Sequence, residues 1–144
     1  MRLPVRHSTI VAAFCLLASV QATRAGDSED QIEQLLDAIA QVESRSDRNA
    51  VGDSGRAIGV YQIHQRYWQD GTRILGIDWP YKDATNPAKA RQVVRAYLRH
   101  YGKDRSLLDM ARIHNGGPNG HKKQSTQDYA RKIEAILDGM AQSS

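Results

Sequence analysis

The chain has 144 residues, with 20 Lys and Arg against 16 Asp and Glu and a formal charge of +4. A single cysteine allows no internal disulfide, and this length suits one hydrophobic core rather than two. The first 25 residues hold Arg2, Arg6 and Arg24 and no acid, so the remainder carries only +1 and a nucleic-acid partner is not expected.

The basic stub leads into an apolar stretch from about Ile10 to Val20, followed by Gln21-Ala22-Thr23-Arg24-Ala25. This is the layout of a secretory signal peptide, with small residues that allow cleavage after Ala22 or after Ala25. The apolar stretch falls short of the roughly 20 residues that a membrane helix needs. Cys15 follows Phe14 rather than a small residue, unlike a lipoprotein anchor. The expectation is a leader over residues 1–25 and one domain over 26–144, exported to the periplasm or the exterior without stable membrane insertion, as a monomer. Cys15 and Phe14 leave with the leader, so the mature domain must hold together by packing alone. Its aromatic residues are all Tyr and Trp, rings with an apolar face and a polar handle of the kind on which sugars stack.

In chain order, the first helix is predicted over Asp27 to Glu43, with Ser28 as N-cap and Gln31 as its capping-box partner. Ile32, Leu35, Leu36, Ile39 and Val42 form its buried face. At about 100° per residue Glu43 returns to within roughly 20° of Ile32, so its carboxyl lies along the apolar stripe. From Ser44 to Ala57 the chain is turn-rich around Gly52-Asp53-Ser54-Gly55, and a short hairpin stays open there. A short helix is predicted from Gly59 to about Asp70. Residues 71–85 read as irregular, with Trp79-Pro80 blocking helix continuation. Asn86-Pro87 starts a helix with Ala90, Val93, Val94, Tyr97, Leu98 and Tyr101 on one face, and Gly102 stops it. Ser106 starts another, which ends at Asn115-Gly116-Gly117-Pro118. Ser125 or Thr126 caps the last, whose face is Tyr129, Ile133, Ile136, Leu137 and Met140. The fold class expected is mainly α, a small helical domain with a cleft.

Among these residues Glu43 suits proton delivery to a leaving oxygen, because burial keeps a carboxyl protonated and raises its pKa. Taken alone it is also an ordinary helix-end glutamate. Asp53, in the turn that follows, is either a second carboxylate across a cleft or a turn former between glycines. Gln62 either presents its amide to a ligand or braces the site. Asn115 before two glycines stops a helix and offers an amide to sugar oxygens. The histidines lack the spacing and acidic company of metal ligands, so neither metal nor cofactor is expected.

Taken together, the clusters resemble the lysozyme superfamily. Glu43-Ser44 looks like the Glu-Ser pair of soluble lytic transglycosylases and goose-type lysozymes, and Gly59-Val60-Tyr61-Gln62-Ile63 like their Gly-Leu-Met-Gln motif. His114-Asn115-Gly116-Gly117 is similar to their Tyr-Asn-Ala-Gly element, and Thr126 with Tyr129 to the later residues that close the cleft. The likeness to invertebrate-type lysozymes is closer: Gly59, Tyr61, Gln62, Ile63, Tyr67, Trp68 and Asp70 follow their pattern, as does Ala111 to Pro118. Their abundant cysteines are missing here. The resemblance implies an α+β lysozyme-like fold and a peptidoglycan-cleaving muramidase. Its implied catalytic residues are Glu43 and Asp53; the implied glycan-binding residues are Ser44, Tyr61, Gln62, His114, Asn115, Gly116 and Tyr129. A lytic transglycosylase giving 1,6-anhydro ends and a non-catalytic glycan-binding module on the same fold are the alternatives.

Overall fold

The computed structural model describes the backbone of residues 11–143 and the side chains of residues 28–143. Residues 1–10 of the expected leader, with Arg2 and Arg6, lie outside the described residues, as do the side chains of Cys15 and Arg24. The chain divides into two units, residues 1–31 and residues 32–144. Helix α1 spans Val11–Ser44 and so includes the described part of the first unit. Ser28 therefore lies inside a helix and is not its N-cap, a correction to the expected start at Asp27. No proline interrupts residues 11–44, and once nucleated a helix extends at little cost per residue. Among the described residues no helix is long and apolar enough to cross a membrane.

The second unit is mainly helical. Beyond α1 it contains strands β1 (Val51–Gly52), β2 (Ala57–Ile58) and β3 (Ile63–His64), then helices α2 (Gln65–Leu75), α3 (Pro87–Tyr101), α4 (Leu107–Gly116) and α5 (Gln127–Gln142). The strands form one antiparallel sheet in the order β1-β2-β3, with Val51 opposite Ile58 and Ala57 opposite His64. The turn-rich segment after Ser44 thus forms a hairpin, and a third short strand joins it.

Two expectations in this region are corrected. Residues from Gly59 to Gln62 form a turn rather than the start of a helix, and α2 begins at Gln65. Gly59 takes a φ of +75° and lies so close to the following loop that a Cβ would sit 2.3 Å from the Ala84 carbonyl oxygen. A helical path there is blocked by that contact and by the left-handed Gln62, at a φ of 46°. Nor does the helix stop near Asp70; it runs to Leu75 and ends at left-handed Gly76.

The later helices follow local signals. The Asn86 side chain accepts from the Ala88 and Lys89 amides at the start of α3, with Pro87 at the first helical position. Ser106 accepts from the Asp109 amide and opens α4. Thr126 stands at the N-cap of α5 without capping through its side chain. Its hydroxyl instead donates toward Gly120 and accepts from Arg112, so it ties the α4–α5 loop to α4.

Leu35, Leu36 and Ile39 of α1 are fully buried with Trp68, Val93, Val94, Leu98, Ile113 and Ile133, in one cluster contributed by every helix. Burying each of these larger side chains contributes about 1.5–3 kcal/mol. The polar face of α1 is tied to α3 by Arg91, which meets Glu33 at 2.8 Å and Asp37 at 2.6 Å. Arg91 also donates to the hydroxyl of buried Tyr61 at 3.2 Å. These contacts fix the C-terminal end of α1, and with it Glu43.

Candidate active site

Glu43 lies one residue before the end of α1, where the apolar stripe continues under the following loop. Its side chain retains 19% of its exposure. His114 near the end of α4 faces it, Nε2 standing 3.5 Å from Glu43 Oε1. On its other side His114 Nδ1 is 3.1 Å from the Tyr67 hydroxyl. Burial pushes the Tyr67 phenol well up, so it stays neutral and can donate to Nδ1 or accept from it. A donating Tyr67 leaves the imidazole proton on Nε2, pointed at Glu43.

Burial pushes the Glu43 carboxyl up, as its place on the apolar stripe predicts. The His114 imidazolium, the Tyr129 hydroxyl and the charge of His64 pull the other way, and the net position is below the ordinary glutamate value. The raised pKa expected from burial alone is therefore corrected: α4 and α5 bring a cation and a phenol against the carboxyl. Tyr129 is buried behind Glu43; its own phenol is pushed up by burial and then by the nearby carboxylate. Its hydroxyl makes no hydrogen bond of ordinary geometry, so its influence on Glu43 is that of a close, poorly aligned dipole.

Glu43 and Asp53 line one cleft of about 870 Å³, within the range of ligand sites. Asp53 opens the hairpin turn between β1 and β2 in a left-handed conformation, with a φ of 48°. Aspartate tolerates that region better than most residues. Oδ1 pairs with Arg56 at 2.7 Å and Oδ2 with His64 Nε2 at 3.3 Å, while 42% of the side chain stays exposed. The two carboxylates thus differ in setting, one enclosed among rings and the other half-exposed between Arg56 and His64.

Gln62, on the same wall, donates its amide to the carbonyls of Ala50 at 3.1 Å and Gly59 at 3.0 Å. The side chain braces the hairpin while lining the cleft. Gly52 lies beneath it, and a Cβ there would sit 2.2 Å from Gln62 Oε1 and push the amide aside. The opposite wall is the end of α4, where His114, Asn115, Gly117 and Pro118 line the cleft. Lys123 donates to the Gly116 carbonyl at 2.6 Å and holds that turn.

Of the residues predicted from sequence, Glu43, Asp53, Gln62, His114 and Asn115 meet at this cleft. Ser44 does not line it; its hydroxyl donates to the Val60 carbonyl at 2.8 Å and fastens α1 to the loop before β3. Tyr61 turns to a separate hollow beside Arg91. Gly116 packs against Thr126, with a prospective Cβ 2.7 Å from its methyl. Tyr129 acts from behind Glu43. Residues outside the predicted set also line the cleft: His64, and from α2 Arg66, Gln69, Asp70 and Arg73. These α2 positions fall at i, i+3, i+4 and i+7, a stripe on one helical face that becomes legible once α2 is known to run to Leu75. Among the described residues no group of three or more His, Cys, Asp or Glu is arranged to hold a metal ion.

A helical unit with a small antiparallel sheet on one side of a cleft, and an enclosed glutamate at a helix end within it, is a lysozyme-like architecture. The solved structures agree: a chain of the crystal structure of Aeromonas hydrophila PliI in complex with Meretrix lusoria lysozyme matches with a TM-score of 0.60 and 32% identity. The match covers 72% of this chain and 88% of that one. The Destabilase family model matches residues 32–136, from α1 into α5, and the chain belongs to that family.

Curated relatives carry the name lysozyme. Lysozyme 1 of Crassostrea virginica is 39% identical over 81 residues, which is 54% of this chain and 43% of that protein. The lysozyme of Ostrea edulis is 40% identical over 86 residues, 56% of this chain and 61% of that protein. An invertebrate-type lysozyme of Ruditapes philippinarum is 34% identical over 83 residues, 54% of this chain and 59% of that protein. The matched region is thus about half the length of these relatives.

Proposed function

We propose that this protein is an exported muramidase, with residues 1–25 as its leader, that cleaves the β-1,4 bond between N-acetylmuramic acid and N-acetylglucosamine in peptidoglycan. The observation that carries the reading is the pair of unlike carboxylates, Glu43 and Asp53, on one cleft. The lysozyme names of the relatives support it.

In this mechanism the Glu43 carboxyl gives its proton to the glycosidic oxygen as the bond to C1 breaks. Asp53, on the exposed side of the cleft, balances positive charge developing at the sugar ring. Water then adds to C1, and the Glu43 carboxylate accepts its proton. His114, at the end of α4, holds Glu43 in place. Burial favours the protonated Glu43 carboxyl, and His114 and Tyr129 favour the carboxylate left once the proton has been given. Asn115, beside Gly117 at the cleft wall, offers an amide to N-acetyl and hydroxyl oxygens.

One observation favours a second reading. Both Asp53 oxygens are occupied, by Arg56 and by His64, so its charge is already compensated. If Asp53 holds only the hairpin, the substrate's N-acetyl and 6-hydroxyl groups complete the reaction. That route is lytic transglycosylation. Mass spectrometry of fragments released from purified peptidoglycan separates the two. Hydrolysis gives ordinary reducing ends, and the expected result is that these dominate. Anhydro ends, lighter by one water, would transfer the assignment to transglycosylation; binding without new ends would leave a glycan-binding module.

A further inference from the structure

The cleft is lined by four cationic or potentially cationic side chains, and three already face a carboxylate. His114 faces Glu43, His64 faces Asp53, and Arg73 is paired with Asp70. Asp70 is further engaged by the Tyr101 hydroxyl at 2.5 Å. Arg66 is the exception: it is exposed, lines the cleft from the first turn of α2, and among the described residues has no carboxylate within ion-pair reach. It shares the cleft-facing stripe with Gln69, Asp70 and Arg73, a row about 10 Å long at 1.5 Å per residue. The first turn of α2 also has no side-chain cap, so the helix dipole adds positive potential near Arg66.

An unpaired guanidinium on a binding wall calls for an anionic partner, and a planar carboxylate fits its fork. A glycan of N-acetylglucosamine alone carries no charge. A strand whose muramic acid bears acidic peptide stems carries carboxylates beside every second sugar. We propose that Arg66 binds a stem carboxylate and so makes peptide-bearing, anionic strands the preferred ligand class of this cleft over neutral N-acetylglucosamine oligomers. The inference rests on the glycan-cleaving reading above, whose substrate it narrows.

The test compares binding rather than turnover, so that it is independent of catalysis. Dissociation constants are measured by calorimetry on the Glu43→Gln protein for three probes: a peptidoglycan tetrasaccharide with stem peptides, the same tetrasaccharide reduced to stem-free N-acetylmuramic acid amide, and a neutral N-acetylglucosamine tetramer. Each is repeated with Arg66→Gln and Arg66→Lys added. The stem-bearing probe should bind about tenfold more tightly than the other two, a difference of about 1.4 kcal/mol. That preference should disappear in Arg66→Gln and persist in part in Arg66→Lys. It should also shrink at 1 M salt, where the screening length is about 3 Å. Preference for the stem-bearing probe that survives Arg66→Gln overturns the assignment of Arg66, and equal binding of all three probes by the parent overturns the preference itself. Failure of every probe to bind overturns the glycan reading and this inference with it.

Discussion

Glu43 is held between opposing influences: burial pushes its carboxyl up, and the His114 imidazolium and Tyr129 hydroxyl pull it further down. A carboxyl below its ordinary value is present as the acid only at lower pH, so the basic limb of kcat/KM should lie below the ordinary glutamate range. His114→Asn keeps a side chain of similar reach but removes the cation, and Glu43 then stays protonated to higher pH. The basic limb of the profile should therefore move upward, measured on soluble oligosaccharide across pH 3 to 8. An unmoved limb would mean that His114 does not set the protonation of Glu43. Conversely, the ionic part of this pair stabilises the fold above the ordinary glutamate value and is lost as pH falls through the lowered one. The place of Glu43 was legible in sequence, because helical phase alone puts it on the buried stripe. Its electrostatics were not, because His114 and Tyr129 follow it by more than seventy positions and only tertiary packing brings them to it.

The hairpin is the element on which the second carboxylate depends, and its geometry is set by few contacts. The strands have two residues each, and the turn between them carries left-handed Asp53 and Ser54. Such backbone costs of order 1–3 kcal/mol per residue and persists only when its surroundings enforce it. Arg56 grips the turn itself through the Asp53 carbonyl and carboxylate, and the amide of Gln62 ties Ala50 before the hairpin to Gly59 after it. Gly52→Ala displaces that amide and should lower stability by about 1–3 kcal/mol through the two lost hydrogen bonds and the crowded methyl. Activity well below the melting temperature should fall further, because Asp53 is no longer held. Thermal melts together with kcat/KM check both effects; activity equal to the parent's would show that the hairpin tolerates the loss of this brace. Helices α3 and α4 were legible because Asn86-Pro87 and Ser106 act through local chemistry. The start of α2 was not, since the turn from Gly59 to Gln62 is set by the neighbouring loop at Ala84 and by a side chain reaching back to Ala50. Strands of two residues leave no period to read.

For the whole molecule, the cleft exists because three separate parts converge: the end of α1, the hairpin with the α2 stripe, and the end of α4. Residues 32–144 hold that arrangement without cysteine, through one core to which α1, α2, α3, α4 and α5 all contribute. The order of the sequence clusters carried the family resemblance, and the Destabilase match over residues 32–136 covers the same three parts. Ser44, Tyr61 and Gly116 show the limit of reading a site from clustered motifs, since neighbours in sequence divide between cleft and scaffold. The central claim is that a proton from Glu43 cleaves a glycan bound in this cleft, and the most direct measurement is turnover of purified peptidoglycan by Glu43→Gln beside its affinity for the same strands. General acid catalysis predicts a fall in kcat/KM of about 10²–10⁴-fold with affinity kept within a few fold. Turnover equal to that of the parent protein would contradict it.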